Sequence, residues 1–423
     1  MDNDHVYMGN KAVWGGEAPF GLSTRDRRQH LYCIGKTGSG KTTLLRNMIV
    51  QDILAGRGVG VIDPHGDLAE ELLSLVPPWR VPHVVYFNPL DRDFPPSFNL
   101  VRPRSTDRFL LASGIVSALK NIWKDSWGVR MEYILYATLS ALLECENTSL
   151  LGVPRMLSDK TYREWVTRQI KDPIVRSFWE QEFANYDKRF LVEAIAPIQN
   201  KVGSLLMSPV IRNILGQVKN RIDPRFVMDN ERIFIANLSK GRLGEDKANL
   251  LGSVLVSSFQ LAAMERAPMP ENSRKDFFLF VDEFQNFATD SFASILSEAR
   301  KYRLCLTLAH QYMEQVREEI RNAVFGNVGS IVSFRVGPND AKVLEREFGD
   351  TYNAESFMSL GNHEVRAKLI QNGVQREPFS GRTSPPIGDE FGRVESIIRC
   401  SRERFGRPLE RVNEKIYRWM KKS

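Results

Sequence analysis

The sequence predicts an α/β fold in which a parallel sheet with crossover helices is interrupted by an all-helical insertion. A glycine-rich loop stands between a strand-like run and a helical run within residues 30–55. Apolar strand-like segments alternate with helical segments before residue 88 and after residue 231. From about Thr106 to Arg221 helical patterns recur without a convincing strand pattern. Together these observations favour one sheet built from two separated parts of the chain.

The first part of the sheet carries the most specific motif in the chain. Residues 35–42 read GKTGSGKT, which fits the pattern GxxxxGK[ST], after the strand-like run 30–34 and before the helical run 43–55. Its glycines let backbone N–H groups turn inward, and the helix that begins near Lys41 adds its positive end. The motif predicts a triphosphate-binding loop, with Lys41 at the β and γ phosphates and the Thr42 hydroxyl on Mg²⁺.

The segments after this loop alternate in type and then become uniformly helical. Residues 59–63 and 84–87 read as buried strands, with a short helix at 68–75 between them. Amphipathic helices are predicted in the insertion at residues 108–123, 131–144, 160–170, 172–185 and 190–206. The strand pattern resumes at 232–236 and is followed by a long helix at 247–266.

A second motif completes the first one. The apolar run 277–281 reads as a fully buried strand and is closed by Asp282 and Glu283. In the Walker B pattern, the first acid lies at the carboxyl end of its strand and holds Mg²⁺, often through water, while the second polarises the attacking water. Two acids after an apolar run are weak evidence alone, but the glycine-rich loop in the same sheet gives them a context.

A helix is predicted at 289–302, and the strand predicted after it at 304–309 separates further candidate residues at its two ends. Carboxyl ends of parallel strands meet at the same sheet edge, so Gln311 should face the nucleotide beside Asp282 as a sensor of the γ-phosphate. Arg300 and Arg303 lie at the other end of the strand, roughly 15 to 20 Å away at about 3.3 Å per residue. An arginine there is either a solvated residue at a helix end or a finger that reaches a neighbouring subunit's nucleotide.

Composition excludes several classes of protein. No run of eighteen consecutive apolar residues occurs, and the acidic N-terminal residues are not followed by an apolar segment, so neither a transmembrane span nor a secretory signal is predicted. We therefore expect a cytoplasmic protein. The four cysteines are far apart and form no CxxC pair, so the sequence indicates neither a zinc site nor a disulfide framework.

The C-terminal segment holds most of the excess positive charge. The chain has 58 basic and 51 acidic residues, a net charge of +7, and residues 399–423 contain nine of the basic and three of the acidic ones. Leu409, Val412, Ile416 and Trp419 recur at helical spacing, which predicts an amphipathic helix with a basic second face. Such a face is either simply solvated or binds nucleic acid, anionic lipid or an acidic partner.

Four passages together resemble the type IV secretion coupling proteins of the TraG/TraD kind, and more broadly the HerA/FtsK group of hexameric DNA-pumping ATPases. They are IGKTGSGKTT at 34–43, VIDPHGDL at 61–68, FVDEFQNFATDSFASILSEARKYRLCLTLA at 280–309 followed by Gln311, and FGNVGSIVSFRVGPND at 325–340. The helical insertion is similar to the family's all-α domain, and residues 360–379 are similar to its closing strands. The resemblance spans roughly residues 12–385.

The resemblance implies a RecA-like P-loop NTPase motor domain with an inserted all-α domain, and it assigns a role to each site residue by position. Nucleotide contacts are implied for Lys36, Thr37, Gly38, Ser39, Gly40, Lys41, Thr42 and Thr43. Mg²⁺ is implied at Thr42 and Asp282. Catalytic roles are implied for Lys41, for Glu283, for Gln311 as the sensor and for Arg300 as a finger acting in trans. Arg300 is favoured over Arg303 because the family's finger closes the helix before the sensor strand.

The resulting interpretation is an ATP-dependent ring, a hexamer, that moves DNA without sequence preference in conjugative transfer. Its expected domains are 1–104 and 223–385 for the motor, 105–222 for the insertion and 386–423 for a basic tail helix. Family members usually begin with transmembrane helices, whereas only about thirty residues precede the loop strand here. A relaxase or a membrane-anchored channel subunit is therefore an expected partner, with the protein peripheral at the inner face of the cell membrane or wholly soluble.

Two other interpretations remain open at this stage. One keeps the ATPase but gives it a polypeptide substrate, as in motors that energise pilus assembly or protein secretion. The other is a nucleotide-gated adaptor that recruits a relaxase through the helical domain and the basic tail. The presence of Glu283, Arg300 and Gln311 argues against the adaptor, whereas no sequence feature separates DNA from polypeptide as the substrate.

Overall fold

A mixed sheet of eleven strands organises the first part of the structure. The computed structural model describes residues 4–101, 108–123, 126–289, 292–349 and 351–421. The strands within these ranges are β1 His5–Val13, β2 Gly16–Ser23, β3 Leu31–Ile34, β4 Gly58–Asp63, β5 Val84–Phe87, β6 Ile233–Asn237, β7 Phe277–Val281, β8 Leu304–His310, β9 Ser330–Ser333, β10 Glu364–Lys368, β11 Ile370–Gln371, β12 Val374–Gln375 and β13 Phe379–Thr383. The strand order in the large sheet is β2-β1-β13-β10-β9-β3-β8-β7-β4-β6-β5, and β11 pairs with β12 separately.

The centre of the sheet is parallel and fully buried. β3 lies between β9 and β8, and β7 lies between β8 and β4, with parallel pairing at each step. Every residue of β3, β4, β7 and β8 is buried, as expected for strands covered on both faces. The register aligns Ile34 with His310 and Val281 with Leu308, so these strands end at one common edge.

The strands on one side of the sheet pair antiparallel, and the two N-terminal strands among them were not predicted from the sequence. β9, β10, β13, β1 and β2 pair antiparallel in turn. The strands β10, β11 and β12 fall within the closing strands predicted at 360–379, whereas β13 shares only its first residue, Phe379, with that range. The hairpin of β1 and β2 was missed, because it joins the sheet through the pairing of β1 with β13, more than 350 residues later in the chain.

Helices make up most of the remaining described structure. They are α1 Thr24–Arg27, α2 Lys41–Leu54, α3 Asp67–Ser74, α4 Arg108–Ile122, α5 Val129–Leu143, α6 Gly152–Ser158, α7 Lys160–Thr167, α8 Pro173–Ser177, α9 Lys188–Met207, α10 Pro209–Leu215, α11 Pro224–Asp229, α12 Lys240–Leu243, α13 Glu245–Met264, α14 Phe292–Glu298, α15 Glu318–Asn327, α16 Pro338–Glu347, α17 Ala354–Met358, α18 Val394–Phe405 and α19 Leu409–Lys421.

Two predicted helices are interrupted. The helix expected at 172–185 is α8 followed by a π-helical turn at Phe178–Glu182 and a 3₁₀ turn at Phe183–Asn185. The helix expected at 289–302 is α14 followed by a 3₁₀ turn at Ala299–Tyr302. Residues 290 and 291 of that expected helix lie outside the described residues.

The chain divides into two compact units. The first contains residues up to Tyr86, Pro224–Ser239 and Ala262–Cys400, and it holds the sheet except for the last residue of β5. The second contains Phe87–Asp223, Lys240–Leu261 and the residues from Ser401 onward, and its described part is essentially helical. The domain boundaries proposed from the sequence stay a prediction, since compactness of the backbone is a different criterion from independent folding.

Two expectations about the chain chemistry can be compared with the structure directly. Among the helices of the described ranges, none combines the length and the apolar character that crossing a bilayer requires. Cys33, Cys145, Cys305 and Cys400 are all free thiols, and the first three are buried.

Candidate nucleotide site

The glycine-rich loop connects β3 to α2 in a conformation that only glycine adopts easily. Gly38 and Gly40 have φ values of 74° and 115°, in the left-handed region that a Cβ atom disfavours. The Gly35 and Lys36 amides donate to the carbonyls of His310 and Arg335, at 3.3 and 2.8 Å. These bonds tie the loop to the ends of the strands on either side of β3.

The eight loop residues differ in exposure. Lys36, Thr37, Gly38 and Thr42 are exposed, Thr43 is half-buried, and Ser39, Gly40 and Lys41 are buried. The loop thus presents a run of accessible backbone and a threonine hydroxyl at the start of α2, where the helix dipole favours an anion.

Lys41 points into its own loop. Its Nζ donates to the carbonyl of Gly35, and it also lies 3.3 Å from the carbonyl oxygen of Lys36. Burial lowers the pKa of Lys41, and the nearby carboxylates of Glu283 and Asp282 oppose that shift. A phosphate oxygen would offer the ammonium a charged partner in place of these two neutral carbonyls, and a charge-assisted bond is the stronger of the two kinds.

The two acids that follow β7 are buried at the same edge. Asp282 is 7% exposed and Glu283 is 5% exposed. Burial raises the pKa of Asp282 to about 7, and the carboxylates of Glu283 and Asp63 add to the effect. Glu283 has a φ of 46°, a left-handed conformation that is rare for a glutamate and that concentrates at functional sites.

Gln311 contacts the second of these acids directly. Its Nε2 donates to Glu283 Oε1 at 2.9 Å, while Gln285 Nε2 donates to the other oxygen of the same carboxylate at 2.7 Å. The sequence predicted Gln311 beside Asp282 at this edge, and its bonded partner is the adjacent glutamate. The two amides fix both oxygens of Glu283, which orients the carboxylate.

A cavity of about 540 Å³ lies beside the loop, lined by Lys36, Thr37, Gln311, Tyr312, Glu314 and residues 337–340. The structure therefore brings together the loop, both acids and Gln311 at one edge of the sheet. In the described part of the chain, no cluster of three or more His, Cys, Asp or Glu side chains is arranged to hold a metal ion.

Two residues near the site were not assigned a role from the sequence. Asp63 ends β4, and its carboxylate accepts the amides of His65 and Ala69 at 2.8 and 2.9 Å. His363 donates its backbone N–H to the Ser39 carbonyl at 2.9 Å, and a Cβ atom on Gly40 would come within 2.8 Å of its Nδ1. Asp63 lies in the VIDPHGDL passage that carried part of the family resemblance, whereas no sequence signal indicated that His363 packs on the loop.

Arg300 lies at the opposite edge of the sheet. It precedes the seven residues of β8, which span about 20 Å at roughly 3.3 Å per residue. Its side chain is exposed and makes no hydrogen bond or ion pair among the described residues. It borders a cavity of about 830 Å³ whose other basic lining residues are Arg25, Arg28, Arg274, Lys301 and Arg303.

The turn that carries Arg300 is fixed by other cationic side chains. Arg266 is fully buried and donates to the Tyr302 carbonyl at 2.9 Å, and Arg274 donates to the Lys301 carbonyl. Arg303 pairs with Glu271 at 3.0 Å. Arg303 is thus paired within the chain, whereas the exposed Arg300 side chain makes no ion pair among the described residues.

A buried histidine links this turn to the loop strand. His30 precedes β3, and its Nδ1 accepts the Leu306 amide at 3.0 Å while its Nε2 donates to the Leu296 carbonyl at 3.1 Å. Burial lowers the pKa of His30 to about 4, so the ring stays neutral at physiological pH. It connects α14, β8 and the start of β3 through one side chain.

Two family models match the chain, and together they cover more than half of it. One, described as the type IV secretion-system coupling protein DNA-binding domain, matches residues 17–185. The other, described as the TraM recognition site of TraD and TraG, matches residues 276–362. The first includes the glycine-rich loop, and the second includes Asp282, Glu283, Arg300 and Gln311. The chain belongs to the type IV coupling-protein family. The resemblance stated from the sequence is confirmed.

Solved structures of coupling proteins have the same fold as this family member. The bacterial conjugative coupling protein TrwBdeltaN70 in its unbound form has a TM-score of 0.63 at 15% identity, over 90% of this chain and 91% of that one. The plasmid coupling protein TrwB in complex with ADP and Mg²⁺ has a TM-score of 0.61 at 16% identity, with 91% of each chain covered. The predicted class, a RecA-like P-loop NTPase fold with an all-α domain, is confirmed.

A further solved structure shares this fold. VirB4 of Thermoanaerobacter pseudethanolicus matches with a TM-score of 0.56 at 12% identity, over 91% of this chain and 97% of that one. Comparison with curated protein sequences gives no significant match.

Proposed function

We propose that this coupling-family protein is an ATP-hydrolysing ring motor that binds and translocates DNA in conjugative transfer or type IV secretion. The observation that carries the proposal is the convergence of buried Lys41, Asp282 and Glu283 with Gln311 at one edge of a parallel sheet. A glycine-rich loop that carries a lysine, together with two acidic residues in this arrangement, fits phosphoryl transfer. In that reaction, positioning and charge stabilisation supply most of the catalysis.

Each loop and edge residue has a role in this proposal. Residues 36–43 bind the phosphates through their amides and through Lys41. Glu283 orients the attacking water and accepts its hydrogen bond, with its carboxylate held in place by Gln285 and Gln311. Gln311 also senses the γ-phosphate, since a group that contacts both Glu283 and substrate can report whether the phosphate is present.

Thr42 and Asp282 would hold Mg²⁺. The fit rests on the excess of negative charge around Asp282, whose pKa burial and two neighbouring carboxylates raise to about 7. A bound Mg²⁺ would supply charge neutralisation for the phosphates. TrwB has been solved with ADP and Mg²⁺, which supports the same use here.

The proposed ring assembly follows from the position of Arg300. Arg300 precedes β8, at the opposite end of the strand from the glycine-rich loop, so it is too far away to reach the phosphates of its own subunit. In the proposal it therefore contacts the nucleotide of a neighbouring subunit in a hexameric ring. DNA passes through that ring without base-specific contacts. A relaxase or a membrane-anchored channel subunit would deliver the substrate, with the protein at the inner face of the cell membrane.

The match to a TraM recognition site supports a second candidate function. It favours protein contacts by the second motor segment, and the corresponding candidate is a motor that handles polypeptide in secretion or pilus assembly. A nucleotide-gated adaptor without required hydrolysis is disfavoured, because Gln285 and Gln311 orient both oxygens of Glu283, which suits a carboxylate that positions the attacking water.

The deciding experiment measures phosphate release with DNA of increasing length. We expect wild-type turnover to rise with DNA and with its length, because a translocating motor hydrolyses ATP as it moves. Lys41→Ala should lose hydrolysis and weaken nucleotide binding, whereas Glu283→Gln should bind ATP normally and lose turnover. Lys342→Ala, a change at an exposed lysine of α16, is the matched control and should behave as wild type.

Three outcomes would contradict the proposal. Turnover at the wild-type rate in Lys41→Ala or Glu283→Gln removes the site assignment. Turnover that ignores DNA but responds to a secretion substrate protein selects the polypeptide motor. Normal transfer in cells that carry only Glu283→Gln selects the adaptor.

A further inference from the structure

The second unit contains a groove lined by basic residues, and these basic residues lie outside both segments that match the family models. It lies between residues 216–219 and α19, has a volume of about 430 Å³, and is called the tail groove here. Its basic lining residues are Lys219, Arg407, Lys415 and Arg418. Within the described ranges, no acidic side chain lines it.

The apolar face of α19 explains how the helix packs on the unit, but it does not explain why basic residues cluster in the groove. Val412 is 1% exposed, and Trp419 Nε1 donates to the Asn147 carbonyl at 3.2 Å. Arg155 donates to the Trp419 carbonyl at 3.0 Å and stacks over the Tyr162 ring at 4.3 Å. These contacts hold α19 against the rest of the helical unit. The basic residues of α19 lie next to the packed apolar residues and take no part in these contacts.

The cations of the groove raise each other's electrostatic energy. Burial lowers the pKa of Arg407, and Arg221 and Arg411 lower it further. Burial also lowers the pKa of Lys415, and Arg407 and Lys219 add to the shift. Clusters of like charge that lower each other's pKa lack a local counter-ion, so an external anion would relieve the repulsion.

Few of these cations have a partner in the protein. Arg418 pairs with Glu414, and Arg221 donates to the carbonyls of Glu403 and Gly406 near the end of α18. The remaining four make no side-chain ion pair in the described part of the chain, and they are Lys219, Arg407, Arg411 and Lys415. A structural role in the folded unit therefore explains two of the six cations.

We propose that the tail groove binds the sugar–phosphate backbone of DNA. Arg411, Lys415 and Arg418 follow one side of α19 at steps of three and four residues, which are about 5 to 6 Å along the axis. Phosphates of one strand repeat every 3.4 Å or so along a duplex, so the row suits a linear polyanion better than a single small anion.

A lipid surface is the less suitable partner for this groove. An interfacial helix inserts its apolar face into the headgroup region, and the apolar face of α19 is already packed through Val412 and Trp419. The inference rests on the proposed DNA motor function and adds a place where the substrate contacts the helical unit.

The test uses the full chain and compares two double variants with equal loss of charge. Lys219→Gln with Lys415→Gln removes two cations from the tail groove. Lys160→Gln with Lys188→Gln, in the same unit, is the matched control, because both lysines are exposed first residues of helices capped by an aspartate. Binding of a fluorescent single-stranded oligonucleotide is measured from about 50 to 200 mM salt, a range over which counter-ion release is pronounced.

We expect the groove variant to bind more weakly and to show a smaller salt dependence. Loss of two phosphate contacts should reduce the slope of log affinity against log salt by about 1.4, at roughly 0.7 per contact for a single strand. The control should keep the wild-type slope. Thermal unfolding of both variants at the wild-type midpoint verifies that the unit remains folded.

Other results overturn the inference and can be told apart. An unchanged slope in the groove variant, with normal DNA binding by the wild type, removes the groove assignment and leaves the motor proposal standing. Failure of the wild type to bind DNA at any salt removes both. Loss of binding to phosphatidylserine vesicles without loss of binding to DNA identifies a membrane contact instead.

Discussion

Two aspartates at either end of β7 show how strongly position decides what a carboxylate does. Asp276, just before the strand, accepts two hydrogen bonds from Arg28 at 2.9 and 2.8 Å. Asp282, just after it, is buried beside the carboxylates of Glu283 and Asp63, and its pKa is raised to about 7. The first charge is neutralised within the protein, whereas the second stays unfavourable until a cation arrives.

Asp282→Asn should therefore stabilise the metal-free protein while it removes hydrolysis. The amide keeps an oxygen for the Glu283 backbone N–H, which lies 3.0 Å from Asp282 Oδ1, and it removes the buried charge. A pKa shift of one unit corresponds to about 1.4 kcal/mol, so we expect a gain of roughly 2 to 4 kcal/mol. Urea unfolding in EDTA without nucleotide measures the change, and phosphate release measures the loss of activity.

In the matched control we expect the free energy of unfolding to change in the opposite direction. Asp276→Asn makes the same chemical change where the carboxylate is paired with Arg28, so it should lower the free energy of unfolding. A decrease in stability for Asp282→Asn as well would mean that Asp282 is already compensated in the free protein.

At the scale of elements, α2 is anchored to the sheet by a buried ion pair. Arg27 donates through both terminal nitrogens to the carboxylate of Asp52 at 2.7 Å each, and its guanidinium lies 3.7 Å from the Phe278 ring centre. Arg57 donates to the same carboxylate at 2.7 Å. Because Asp52 is fully buried, its charge depends on these arginines.

Arg27→Ala should destabilise the protein by about 3 to 5 kcal/mol, since removing one partner leaves a buried charge poorly compensated. Arg25→Ala is the matched control in the same short helix, because Arg25 is exposed. It should change stability by less than about 0.5 kcal/mol. Chemical denaturation of the two variants compares them, and equal stabilities would show that Arg57 alone compensates Asp52.

Local sequence patterns predicted the elements whose stability is local or fully apolar. The strand Phe277–Val281 was predicted residue for residue, because a run of five apolar residues closed by two acids has few alternatives. The loop and the start of α2 followed from glycine spacing. The π-helical turn at Phe178–Glu182 was not predictable, because an amphipathic period continues through it while the backbone hydrogen-bond pattern changes.

Long-range contacts account for what the sequence did not reveal about the candidate site. The edge position of Gln311 followed from parallel strands, but its bond to Glu283 depends on side-chain placement across two strands. The support of the Arg300 turn by Arg266 and Arg274 joins residues up to 36 positions apart through backbone carbonyls. Every residue has a backbone carbonyl, so the sequence does not indicate which carbonyls accept hydrogen bonds from these arginines. From the sequence alone, such arginines are indistinguishable from ordinary surface residues.

At the scale of the whole molecule, the separation of Arg300 from Lys41 predicts that activity requires two subunits. Arg300→Ala and Lys41→Ala should each be inactive, and a mixture of the two should recover ATPase activity. Subunit exchange creates some interfaces in which an intact loop faces an intact arginine. Phosphate release by the mixture is measured under conditions that allow exchange, and wild-type specific activity should rise with protein concentration as rings form.

A mixture of Lys41→Ala with Glu283→Gln is the matched control. Both lesions lie at the same sheet edge of one subunit, so no pairing of these variants restores a complete site and no recovery is expected. Recovery in this control, or full activity of Arg300→Ala at high dilution, would show that the arginine does not act across an interface.

The strand order also determines when the nucleotide site becomes possible during synthesis. Among the described strands, the neighbours of β3 are β8 and β9, and Leu31 lies opposite Thr307 in the first of these pairs. At about 5 to 20 residues per second, the ribosome needs on the order of 14 to 55 s to make the roughly 275 residues between them. Throughout that interval β3, which is fully buried in the finished sheet and ends in the glycine-rich loop, has neither neighbour, and such an unpaired apolar strand is prone to aggregation.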